Sequence, residues 1–517
     1  MRSGCDKAHH HAVDVKGQRR KGRPGWAPPP AHFSTLSLIG VSLSILNTWN
    51  SATEAIYTSL PAGGNTVMLF GTFVGGAGAL LIAMSLGEVC HVLPFSGGQY
   101  HWTYILAPRR VRRPLSHLVG WLGTAGWVTL TASAPYFAST LTLNIIPAFH
   151  PTFEQQPYHL FLMYLAFTVY GTLINIFGVR IFDAMNRLSM WSSDASAITI
   201  FVTLLACAGS QHRLQPASFV FGWHINQTGW PDGVAWILGL LQTQYALAGV
   251  DGAAHLINEI EDAHINCPKA MVYSCVLGAL HAFVVLVAVA ATMTDPLAVI
   301  DAGPAAILTA FIQGVGNAAG GTALCVLALS TFLFNTPALM TACSRMVQSL
   351  AVDGQLPMAS YLGRTHPKLE VPVWSIVFTT AWMAALGLLI FGSDDALSAI
   401  LSSSVILLQT SYIPTIALVL MQRPVLHSLS LYGKTRYNLG PWAGRIINAG
   451  ALAYIAVIST FLCFPTSLPV TDAASFNYTI AVVAGVLVLT AINWYAYART
   501  NGRVPEEVRA KLGDDFE

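Results

Sequence analysis

Gln242-Thr-Gln-Tyr245-Ala-Leu-Ala-Gly249-Val-Asp251-Gly252-Ala-Ala-His255-Leu-Ile-Asn258-Glu259-Ile-Glu-Asp262 begins inside an apolar segment long enough to span a bilayer. Midway it places an acid between two glycines. A charged group at the centre of a membrane helix costs at least about 2.5–3.5 kcal/mol. Glycine lets the backbone leave the helix, and irregular backbone at that depth persists only beside a cavity or inside protein. The stretch predicts a broken helix lining a solute pathway. Two readings of Asp251 stand. Its carboxylate attracts a cationic amine or carries a coupling proton, or it caps the half-helix starting near Gly252. His255, one turn on, titrates with it or packs and hydrogen-bonds. Glu261 and Asp262 read as a solvated mouth, and Pro268 as the start of the next helix.

Outward from this stretch, the 517 residues are 54% hydrophobic and 10% charged, with a mean hydropathy of +0.55. A soluble domain carries about a quarter charged residues. The composition predicts an all-α polytopic membrane protein. Twelve spans are readable, at 34–59, 66–90, 115–147, 158–178, 186–208, 233–258, 268–293, 319–349, 371–392, 396–421, 444–466 and 475–498. Residues 303–317 are too short and mixed to span and suit a surface or re-entrant helix. Residues 1–32 read as a disordered basic cytoplasmic tail, 33–498 as one domain of twelve spans and 499–517 as a second cytoplasmic tail. The start of the chain has no apolar run of the kind a cleavable signal needs, so the first span is expected to direct insertion.

With both termini in the cytoplasm, only Arg213 of the 26 Lys and Arg falls outside, as the positive-inside rule demands. The sequon at Asn226 then lies outside, and so does that at Asn477, too close to the bilayer for use. The eight scattered cysteines read as small core residues. His9-His10-His11 in a flexible tail is not read as a metal site. Arg109–Arg113 suits anionic lipid rather than nucleic acid. No phosphate loop, nucleophile–base set or metal motif is present, so neither an enzyme nor a direct ATP drive is predicted, and no cofactor is called for.

Asn47-Thr48-Trp49-Asn50-Ser51 is polar at the middle of the first span and rich in poor helix formers. It reads as a second unwound segment, or as a kinked helix whose polar side chains bond across the bundle. Paired with the sixth span, five spans later, it points to two inverted halves with a midplane site. Glu54, Glu88 and Asp194 are the other acids at membrane depth. Glu88 is expected to pair with a basic residue of an inner gate, Arg345 being the candidate; a snorkelled surface acid is the alternative.

These residues resemble the amino acid–polyamine–organocation superfamily, in its fungal branch of amino acid, GABA and choline permeases. The carrying pieces are Asn47-Thr48-Trp49, Ser85-Leu-Gly-Glu88, Pro94-Phe-Ser-Gly-Gly-Gln-Tyr-His-Trp102, Gly249-Val-Asp251-Gly-Ala-Ala-His255, Pro268-Lys-Ala270, Ser344-Arg345 and Asp353-Gly-Gln-Leu-Pro357. The resemblance implies a LeuT-like fold: a 5+5 inverted repeat plus two helices, with spans 1 and 6 unwound. It implies solute contacts at Asn47, Thr48, Trp49, Asn50, Tyr245, Gly249, Asp251 and Gly252. Proton coupling or gating falls to Asp251, His255, Glu54, Asp194, Glu88 and Arg345. Asn258-Glu259 stands where the family usually has two acids, and Glu54 and Asp194 where apolar or small residues are expected. The two extra intramembrane acids suggest a cationic or unusual solute, or altered proton coupling. The expected function is a secondary-active permease, driven by a proton gradient, for an amino acid or small amine such as choline or GABA. A carrier of a specialised metabolite and a transport-inactive nutrient sensor are the alternatives. The plasma membrane is the expected location.

Overall fold

The computed structural model describes residues 35–392, 396–430, 437–470 and 477–512, and every regular element among them is helical. Cys5, His9, His10, His11, Arg19, Arg20, Lys21, Lys434 and Arg436 lie outside the described residues.

Helix α1 (Thr35–Leu46) has 12 residues. At about 1.5 Å per residue it falls well short of a hydrocarbon core of about 30 Å. Asn47 ends it in the left-handed region at φ 44°, a conformation asparagine tolerates better than most side chains. Helix α2 (Thr48–Glu54) follows, then α3 (Ile56–Val92), which leaves helical geometry at Gly63 and Gly64. Gly64 has φ +61°, and a Cβ there would lie 2.8 Å from Trp223, so only glycine fits. The chain turns there, between the first two predicted spans.

After the short α4 (Gln99–Leu106), the 34-residue α5 (Arg112–Ile145) forms the centre of the bundle, and α6 (Pro157–Phe177) and α7 (Phe182–Ser210) follow. Beyond the loop helix α8 (Ala217–Gly222), the predicted sixth span is divided. It comprises α9 (Asp232–Gly239), α10 (Leu241–Ala246), an irregular stretch at 247–251 and a 3-10 segment Gly252–Glu259. Helix α11 (Ala263–Thr292) begins five residues before Pro268, which lies inside it. The expectation that Pro268 opens this helix is corrected: Asp262, at φ 46°, turns the chain, and its carbonyl accepts from Ile265 and Asn266.

The short α12 (Pro296–Asp301) precedes α13 (Ala306–Val315), which buries one face against α7 and α14 (Ala318–Val352) and does not span. The chain ends through α15 (Ala359–Leu362), α16 (Val373–Gly387), α17 (Ala396–Ser428), α18 (Ala443–Phe461), α19 (Thr479–Asn493), α20 (Arg499–Asn501) and α21 (Glu506–Leu512).

Among the described residues nine helices are long and apolar enough to cross a bilayer. The sequence reading of twelve differs by the two interrupted segments and by α5. The buried face of α5 carries Gly120, Gly123, Gly126, Thr124, Thr129 and Thr131, which lowers its hydropathy but lets α14 and α17 approach closely. Leu162, Phe177, Trp191, Ile198, Ile446 and Leu489 stand exposed on the outer helices. Such a surface is stable in lipid, and the protein is an all-α, multi-pass integral membrane protein.

The two interruptions face each other. Gly249 has φ +87°, and a Cβ there would lie 3.1 Å from Trp127 of α5. A Cβ on Gly252 would lie 2.9 Å from Ile45 of α1. The break at 247–251 is thus pressed between α1 and α5.

Candidate functional site

An interrupted helix exposes carbonyls that its own N–H groups no longer reach. At the α1 end these belong to Ser44 and Ile45, and both accept from the Asn335 amide of α14, at 2.6 and 3.0 Å. Asn50 donates to the Ala328 carbonyl and to Thr331, also on α14, at 3.0 and 2.8 Å. The Trp49 indole donates to Ser193 of α7 at 2.8 Å. Asn47, Thr48 and Trp49 line a narrow cleft together with Ser193, Asp194 and His281.

Behind the second interruption, Asp251 is fully buried. Its Oδ2 accepts from His255 Nε2 at 3.0 Å, from Trp127 Nε1 at 3.3 Å and from Gln99; its Oδ1 accepts from Tyr412 at 2.6 Å. It bonds no N–H of the 3-10 segment, so the capping role is excluded. Four donors from α4, α5, α17 and the 3-10 segment converge on one carboxylate instead. The other ring nitrogen of His255 faces the Ser96 carbonyl at 3.3 Å. The predicted solute contacts therefore separate: Asn47–Trp49 face α7 and α11, whereas Gly249 and Asp251 face α5 and α17.

The amino acid permease family profile matches residues 33–487. The chain belongs to that family. The motifs quoted from the sequence had pointed to it, and it is a family of transporters rather than enzymes. A putative amino acid/polyamine transporter of Macrophomina phaseolina is 32% identical over 86% of this chain and 97% of its own length. The choline transporter of Saccharomyces cerevisiae is 28% identical, over 89% of this chain and 80% of its own. A swainsonine transporter of Arthroderma benhamiae is 26% identical over 92% of each.

In this permease the expected Glu88–Arg345 pair is not made. Glu88 is fully buried and receives both terminal nitrogens of Arg423, at 2.8 and 2.7 Å, and the Leu439 N–H at 2.9 Å. Arg423 belongs to α17, which continues seven residues past its predicted end at 421 and carries the guanidinium inward. Arg345 bonds Glu259 at 2.9 Å. Arg345 and Glu259 line a vestibule with Ser96, His101, His255 and Asn258. Helix α21 lies at this vestibule: Glu507 accepts from the Ser96 N–H and hydroxyl, both at 2.8 Å.

Asp194 is half-exposed and faces His281 of α11 at 3.6 Å. Tyr245 shares a hydrogen bond with Ser133 at 2.7 Å, and its ring packs on Phe137 at 5.4 Å. Glu54 is 3% exposed, its Oε1 has no partner, and it pairs with no basic side chain among the described residues. The Asn226 amide nitrogen donates to the Trp230 carbonyl and to Asp232, at 2.7 and 2.8 Å.

Gln99, Trp127, Asn335, Tyr412, Arg423 and His281 were missed as site residues by sequence reading. The available signal was polarity inside apolar runs. Asn335, two residues before Pro337, shows it best.

Proposed function

We propose that the protein is a secondary-active permease for an amino acid or small amine, working by alternating access and coupled to protons. We read it as twelve spans in a LeuT-like arrangement of two inverted five-helix halves plus two helices. Both termini are cytoplasmic in this reading, in the plasma membrane. The observation that carries it is the pair of facing interruptions at Asn47 and 247–251, with the Asp251 hub behind the second.

The arrangement suggests how opening is controlled. Asp251 ties the 3-10 segment to α4, α5 and α17 by hydrogen bonds to a charged acceptor, each worth about 1.5–3 kcal/mol. Reversing a two-state equilibrium from 1:99 to 99:1 takes about 5.5 kcal/mol. Weakening two or three of these bonds, by protonating Asp251, supplies that much. His255 and the Ser96 carbonyl then connect the hub to the vestibule, the route by which the proton would leave. Asn47, Thr48 and Trp49 with Asp194 and His281 form a second candidate gating cluster. Glu88 and Arg345 act in separate ion pairs that brace the arginine-bearing end. Asn226 serves as a glycan acceptor only after releasing its two loop bonds.

Relatives named for choline, for amino acids and polyamines, and for swainsonine favour a nitrogenous solute, and the last favours a specialised metabolite as the second reading. The test is a substrate screen in proteoliposomes with an imposed pH gradient. Asp251→Asn should remain folded and lose at least tenfold in concentrative uptake. Unchanged gradient-driven uptake in that variant would remove Asp251 from the mechanism.

A further inference from the structure

We infer that Glu54 is the solute-selecting group of this permease, an uncompensated carboxylate that takes the positive charge of an organic cation.

The inference rests on the permease reading and on elimination among the acids. Among the carboxylates buried in the bundle or at its vestibule, Asp353 accepts from Tyr100 and His101, and Glu507 from Ser96 and Lys511. Glu88 holds Arg423, Glu259 holds Arg345 and Asp194 faces His281. Asp251, the acid that the sequence offers first for a cationic amine, already accepts from four donors and has no room for a fifth. Glu54 alone has neither a counter-charge nor a donor on Oε1 among the described residues, although it is 97% buried (3% exposed). A buried unpaired carboxylate is strongly destabilising, so it holds a proton or waits for a cation.

Its surroundings suit an organic cation. Glu54 ends α2, on the far side of the Asn47 break from the vestibule. Gln242 of α10 donates to the Ala52 carbonyl at 2.8 Å, which fastens α10 beside α2. Tyr245 lies on the same short helix as Gln242, α10 (Leu241–Ala246). The Tyr245 ring continues into Phe137 at 5.4 Å, and Phe137 stacks on Phe332 at 6.1 Å. Aromatic faces attract alkylammonium groups, best where water is excluded. One turn before Glu54, Asn50 Oδ1 is also buried without a partner, as is Gln242 Oε1. Unpartnered oxygens that accept but cannot donate suit a cation and repel an anion.

The test uses purified full-length permease in proteoliposomes, by counterflow exchange, which needs no proton gradient. Choline and putrescine are the cationic probes; leucine and glutamate are the others. Wild type should exchange a cationic probe and exclude glutamate. Glu54→Gln should keep or raise thermal stability and weaken cation affinity by about tenfold to a hundredfold, with Glu54→Asp between. Independently of any variant, choline should protect Glu54 of the wild type from carbodiimide modification, read by mass spectrometry. Exchange of leucine or glutamate without either cation overturns the inference and leaves the permease reading intact. So do wild-type cation affinity in Glu54→Gln, equal loss of every solute, or modification of Glu54 unaffected by choline. Absence of exchange for all four probes overturns both readings.

Discussion

At the arginine-bearing end of the bundle each buried acid has its partner: Glu88 holds Arg423, Glu259 holds Arg345, and Asp353 accepts from Tyr100, His101 and the Glu506 N–H. On the other side of the helix interruptions the polar atoms of Glu54, Asn50 and Gln242 include acceptors with none, and at the Asn47 break itself Asn47 Nδ2 and Thr48 Oγ1 are also unpaired. The contrast teaches that polar groups in the first region are used to hold helices together, and those in the second are held ready for something that enters. A transporter needs both: a closed end, and a site whose hydrogen-bonding capacity is left for the solute.

Three substitutions break or sharpen that contrast. The largest effect is expected for Arg423→Ala, which strands the Glu88 carboxylate. Loss of one partner of a buried pair costs about 3–5 kcal/mol. Thermal unfolding in detergent should show it, and removing both charges with Glu88→Gln and Arg423→Met should recover most of the loss. A melting temperature unchanged by Arg423→Ala would mean the pair does not brace the bundle. Next is Asn335→Ala, which leaves the Ser44 and Ile45 carbonyls unsatisfied at about 1–3 kcal/mol. The melting temperature in detergent should fall in this variant, by less than in Arg423→Ala; an unchanged value would mean that Asn335 does not hold the α1 end. The smallest effect belongs to the pair that lines the vestibule. Exchanging the charges of Glu259 and Arg345 should restore uptake lost in the single variants, with a coupling of about 1 kcal/mol. The exchange of Glu88 with Arg345 should restore nothing, because those two side chains belong to different pairs.

Both interruptions were readable from residues 47–51 and 247–252, because glycine, asparagine and clustered polar side chains weaken a helix wherever it packs. The predicted sixth span proved divided at Ala246, near the Gly249-Val-Asp251-Gly252 signal. The partner of Glu88 was not readable. Arg345 and Arg423 lie at the same end and are equivalent by sequence, and only the continuation of α17 to Ser428 carries Arg423 to the acid. Asp251 was picked out as costly and His255, one turn on, as its neighbour, but its other three donors come from positions 99, 127 and 412, and no periodicity links them.

The sequence by itself determined where apolar runs lie, where they are broken and which side chains are expensive to bury, because propensity and desolvation are properties of a residue and its near neighbours. Which expensive group is compensated was decided by tertiary structure, because Coulombic attraction and hydrogen bonds act over a few ångströms between residues hundreds of positions apart. By that decision Asp251 became a structural hub, and Glu54, one polar residue among several in the sequence, became the carboxylate left without a partner.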